Sequence, residues 1–200
     1  MYQILLYAHI IFGLISLITG AMASFAAKKR GNHTKSGKWF VISMLGSAFV
    51  ALLLTFLKPN PFLLSIGLFT VYMTLMGFYA FKSNIIRKYL PFLGIVIGLL
   101  MLYVALFVTK GISIVALVFG IFQLVNSVMD LLGTIKNRVV LHASRIGGAY
   151  IASSTAFMVT AVSFLPWYVG WFVPSVVGSI LLSRAIGNYL RPKVKYKQSA

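Results

Sequence analysis

A chain of 200 residues that is 60% hydrophobic and only 10% charged, with a mean hydropathy of +0.96, is too apolar for an ordinary water-soluble domain. Its 18 lysines and arginines face a single acid, Asp130, giving a formal net charge of +17. With no cysteine, disulfides, thiolate metal sites and thiol nucleophiles are excluded, and with no glutamate and one aspartate, hydrolytic catalysis finds little support.

A helix that crosses a bilayer needs about 20 mainly apolar residues at about 1.5 Å rise each. The chain offers seven such runs, near residues 2–26, 38–57, 61–81, 91–109, 112–132, 138–165 and 168–188. The expectation is an all-α integral membrane bundle of seven transmembrane helices, one domain over residues 1–190, followed by a basic tail over 191–200. No loop is long enough to form a separate domain.

The first run opens MYQILLYAH, without a positive n-region, and is expected to be retained rather than cleaved. His9 is followed on the same face by Gly13, Ser16, Gly20 and Ser24, a small-residue stripe on which a histidine reads best as a helix-to-helix clamp. The next break, AAKKRGNHTKSGK, carries His33 among five lysines and arginines. Helix 3 holds Tyr72, Thr74 and Tyr79, and helix 4, PFLGIVIGLLMLYVALFVT, has no polar face and reads as a linker.

Helix 5 places Gln123, Asn126, Ser127 and Asp130 at i, i+3, i+4 and i+7, hence on one face. Lipid cannot satisfy them, so that face should look into the bundle. Helix 6 carries His142 and Arg145 one turn apart, with Ala149, Ser153, Ala156, Thr160 and Ser163 continuing the face. Across the short GTIKN connection the depths match, so Asp130 should pair with Arg145, His142 or both. Such a pair either fixes helix register or marks function. A weak internal match, SAFVALLLTFLKP against TAFMVTAVSFLP, suggests that helices 1 to 3 and 5 to 7 form parallel triplets.

The basic residues cluster after helices 1, 3, 5 and 7, while the opposite side has only Lys58 and Lys110. That asymmetry is topological rather than a nucleic-acid footprint, and it sets the amino terminus outside and the carboxyl tail in the cytoplasm. The basic rim and tail would be drawn to anionic lipids of the cytoplasmic leaflet. Trp39, Tyr89 and Tyr189 at one boundary, and Tyr2, Trp167, Tyr168 and Trp171 at the other, suit interfacial belts.

A retinal-binding pump needs a lysine in the last helix, and YVGWFVPSVVGSILLSRAIGN has none. Small-solute or proton-coupled transport or binding stands slightly ahead, its path lined by the helix 5 face, the hydroxyls of helix 6, and Tyr72, Thr74 and Tyr79. The alternative is a haem b electron-transfer protein, with His33 and His142 as axial ligands and Arg145 and nearby lysines facing the propionates. A third reading is an accessory or assembly subunit, and a homo-oligomer or a membrane partner stays open. A metal site from His33, His142 and Asp130 would be thin.

The ordered motifs HIIFGLISLITG, KKRGNHTKSG, LFTVYMTLMGFYAF, HASRIGGAYIASSTAF and WFVPSVVG resemble a family of small bacterial multi-pass membrane proteins catalogued as a domain of unknown function. The resemblance implies a bacterial inner membrane and points to His9, His33, His142 and Arg145, which lie within its motifs.

Overall fold

A computed structural model describes residues 1–27, 31–82, 85–109, 111, 113–162 and 164–191. Within them all regular structure is helical: α1 (Tyr2–Phe25), α2 (Asn32–Leu57), α3 (Pro61–Tyr79), α4 (Ile85–Tyr103), which runs on into a π-helical turn at Val104–Val108, α5 (Ile114–Leu131), α6 (Arg138–Ala161) and α7 (Trp167–Leu190). Six of the seven are long and apolar enough to cross a membrane, with α4 counted together with its π turn. The exception is α6, which has the length but is the least apolar of the set because it carries Arg138, His142, Arg145 and a run of hydroxyls.

Local chemistry sets the helix ends. Asn60 caps α3, its side chain accepting from Leu63 N at 3.1 Å, with Pro61 at the first helical position. Ser113 caps α5 and Asn137 caps α6, the latter accepting from Val139 N at 2.9 Å and Val140 N at 3.3 Å. Gly133 closes the α5–α6 connection at φ 62°, a conformation that suits a residue without Cβ.

The helices form a chain of neighbours in which α1 packs on α2, α2 on α3, α3 on α6 and α6 on α7, with the α4–α5 hairpin laid against α3. Central in this order, α3 buries ten of its 19 residues. At the other extreme α7 buries only Gly170, and α1 only Ser16 and Gly20, so their outer surfaces are apolar and open. Trp39, Tyr89 and Tyr189 at one end of the bundle, and Tyr2, Trp167 and Tyr168 at the other, are exposed, while Trp171 packs its ring on Phe62 at 5.7 Å.

Several expected features change. Helix α2 starts at Asn32 rather than near 38, which brings His33 into its first turn instead of a loop. Helix α4 starts at Ile85, so Pro91 lies inside it and not at its head. Nor is α4 a linker: Leu90, Gly94, Ile97, Gly98 and Met101 are buried, and Gly98 brings its backbone against Leu124 of α5. The two triplets are not equivalent, because α1 packs tightly along α2 whereas α5 packs on α4 and α3. Apolar composition makes a match of this kind easy by chance. The expected tail beyond Arg191, together with Lys28, Lys29, Arg30, Lys110 and Ser163, lies outside the described residues.

Candidate functional site

Two centres gather the candidate residues. The first bridges α3, α5 and α6. Arg145 extends from α6 and its Nε donates to both oxygens of Asp130, at 3.2 and 2.9 Å, while Nη2 donates to Oδ1 at 2.7 Å. Its Nη1 donates to Asn126 Oδ1. Asp130 Oδ2 also accepts from the Tyr72 hydroxyl of α3 at 2.7 Å. The two charged side chains are 4% and 1% exposed, so the ion pair is out of solvent and held by charge-assisted bonds at every face.

Gln123 continues the network one and two turns back along α5. Its Nε2 donates to Gly94 O at 3.3 Å and to Ser127 Oγ at 3.1 Å, and Ser127 Oγ donates to Gln123 O at 2.8 Å. Gly94 must be a glycine, because a Cβ there would fall on Ser127 Oγ and the Tyr72 ring. Gln123 Oε1 and Thr74 Oγ1 are the buried side-chain atoms without a hydrogen-bond partner among the described residues.

The second centre lies where the start of α2 and the start of α6 meet. His33 Nδ1 is 2.9 Å from Ala23 O, and His142 Nδ1 is 2.9 Å from Gly77 O. A carbonyl oxygen only accepts, so in both rings Nδ1 carries a proton and donates it. Ala23 and Gly77 belong to the last turns of α1 and α3, so each histidine ties the start of its own helix to the end of another, and Gly77 O also accepts from Ala80 N at 3.4 Å. Thus oriented, the rings stand 6.4 Å apart between centroids with their planes at 77°, and Phe81 flanks His142 at 5.3 Å.

His9 belongs to neither centre. Its Nδ1 lies 3.0 Å from both Ser47 O and Ser47 Oγ, which clamps α1 to α2. Arg145 is 3% exposed and committed to Asp130 and Asn126, so it is not placed to face a propionate. His142 turns to Gly77, not to Asp130. On α6 the buried line is Leu141, Arg145, Ala149, Ala152 and Thr155, passing beside Ser153 and Ala156 of the face assigned from sequence, whereas Thr160, one residue before the end of the helix, is exposed.

Sequence reasoning named Tyr72 as a path residue, not as a partner of Asp130, and it missed the carbonyls of Ala23, Gly77 and Gly94. Main-chain acceptors leave no mark in side-chain identity. The glycines at 77 and 94, positions where helices touch, were the available signal. Among the described residues no three or more of His, Cys, Asp and Glu come together as a metal cluster. Comparison with family models, with curated proteins and with solved structures gave no match.

Proposed function

We propose that this chain is a seven-span protein of a bacterial inner membrane, amino terminus outside and tail cytoplasmic, that holds one haem b between His33 and His142 for electron transfer. It would belong with the small multi-pass proteins that its motifs resemble. The observation that carries this reading is the histidine pair: two rings from positions 109 residues apart, 6.4 Å between centroids, each oriented through Nδ1 by a main-chain carbonyl.

The fit is chemical. His33 and His142, one from α2 and one from α6 with ring centroids 6.4 Å apart, would be the two side chains that hold such a group. A ligand nitrogen opposite a carbonyl-bonded Nδ1–H is the arrangement that fixes tautomer and ring orientation at metal sites. Two histidines with no third His, Cys, Asp or Glu ligand among the described residues would suit a porphyrin, which brings four nitrogens of its own, better than a tetrahedral ion. Lys35, Lys38 and Lys82, at the same end of the bundle, would be the cations to meet propionates, in place of Arg145.

Once bound, haem supplies a one-electron ferric/ferrous couple. The chain's part is to orient both imidazoles and to keep them in register through the α3–α6 contact that carries both Gly77 O···His142 and Tyr72···Asp130···Arg145. Orientation follows from basic side chains: among the described residues Lys35, Lys38, Lys82, Arg87, Lys88, Lys136, Arg138 and Arg191 lie at one end and Lys58 at the other. The test is an absorption spectrum of detergent-purified protein from haem-replete cells, oxidised and dithionite-reduced. A Soret band with sharp reduced bands, lost in His33→Ala and in His142→Ala, is expected, and a featureless wild-type spectrum would reject the reading.

A second reading, a small polar solute inside the bundle, is favoured by Gln123 Oε1, a fully buried acceptor at mid-helix with no donor among the described residues. Solute-binding assays with Gln123→Leu as the control test it, and binding that survives that change rejects it.

A further inference from the structure

The helices α1 and α7 both pack on α6, and between them lies a lateral groove of about 390 Å³ with an almost wholly apolar lining that includes Leu17, Tyr150, Phe157, Pro174, Gly178 and Leu181. Along α7 the groove runs from Val173 to Leu181, about 12 Å at 1.5 Å per residue, close to the half-thickness of about 15 Å that one leaflet's acyl chains fill. At the cytoplasmic end of the same stripe, Val177 and Leu181 are followed by Arg184, Asn188 and Arg191, spaced by three, four and three residues and all exposed.

Arg184 is the anomaly. It lies six residues before the end of α7, about 9 Å below the helix terminus, on a surface turned away from the bundle. A guanidinium there is costly unless it is paired. The chain has one side-chain carboxylate, that of Asp130, and Arg145 occupies it. No other side-chain carboxylate is available to it, whereas a bilayer offers phosphates at that level. Arginine suits a phosphate through two parallel N–H donors, and a long cationic side chain near a helix end rises to the headgroup level.

We propose that the groove and the Arg184–Asn188–Arg191 stripe together form a site for one anionic glycerophospholipid of the cytoplasmic leaflet. One acyl chain lies between α1 and α7 on Tyr150 and Gly178, and the phosphate sits on Arg184 and Arg191 with Asn188 as a further donor. The site rests on the membrane-spanning, tail-inside reading and is independent of haem.

Native mass spectrometry of the detergent-solubilised full chain tests it, with phosphatidylglycerol and phosphatidylcholine of identical acyl chains added as probes. Wild-type protein should retain phosphatidylglycerol over phosphatidylcholine by about thirtyfold, from two arginines near the surface. The preference should vanish in Arg184→Gln/Arg191→Gln, persist in part in Arg184→Lys/Arg191→Lys, and be unchanged in Lys58→Gln. Both arginines are exposed, so the variants should fold, and their melting temperatures report on that directly. Equal retention of the two lipids, an unchanged preference in the double glutamine variant, or displacement of the lipid by inorganic phosphate would each overturn the site. Release of the chain from membranes by alkaline carbonate would overturn the spanning reading itself, whatever the lipid preference.

Discussion

Asp130→Asn isolates the energetics of the polar centre. The substitution keeps size and shape but removes the one charge that compensates Arg145, whose guanidinium stays 4% exposed between α5 and α6. Breaking a buried pair from one side leaves an uncompensated charge and costs about 3–5 kcal/mol. For a chain of this length each kcal/mol moves the melting temperature by about 2–4 °C, so a fall on the order of 10 °C is expected. Arg145→Met should cost less than Asp130→Asn if Asp130 keeps Tyr72 as a donor, and the double variant should be more stable than the sum of the single losses implies. The assay is thermal unfolding in detergent by near-ultraviolet circular dichroism, on all three variants and wild type. An Asp130→Asn protein that melts within about 2 °C of wild type, or strictly additive losses in the cycle, would refute the argument that this pair is a desolvated, coupled unit.

Gly94→Ala should lower stability by about 1–3 kcal/mol, because the new methyl falls on Ser127 Oγ and the Tyr72 ring, and unfolding with the same assay checks it. Ser47→Ala should cost about 1 kcal/mol through the α1–α2 clamp to His9 while leaving any visible absorption band unchanged, which separates the clamp from the histidine pair. Asn137→Ala should cost about 1 kcal/mol by uncapping α6, and amide exchange at Val139 and Val140 should quicken first. Reporter fusions test orientation: a cytoplasmic reporter is expected to be silent at Lys58 and active after Arg191, and the reverse pattern would invert the topology.

Helix count and approximate spans were legible in composition, since a 20-residue apolar run has one economical conformation in lipid. The pairing of Asp130 with Arg145 was legible too, because one acid among so many bases, at matched depth across a short connection, leaves few partners. What the sequence did not disclose was geometry mediated by backbone. His33 looked like a loop residue because KKRGNHTKSG is polar, yet its helix begins at Asn32 and reaches back to cover the exposed end of α1. Helix α4 looked featureless because its role is carried by the missing side chains of Gly94 and Gly98 and by a carbonyl. Thr160 turned out exposed although the assigned face kept steps of three and four residues, because it lies one residue before the end of α6, where no buried residue follows Thr155.

The measurement that bears most directly on the central claim is the haem content and spin state of the purified chain, by pyridine haemochrome assay and low-temperature electron paramagnetic resonance of the oxidised protein. Three histidines, with His9 spent on Ser47, allow one bis-histidine site. The account predicts one haem b per chain, low-spin in the oxidised protein and turning high-spin or absent when either His33 or His142 is replaced by alanine. A haem-free protein from haem-replete cells, or a haem whose signal is indifferent to both substitutions, would contradict it.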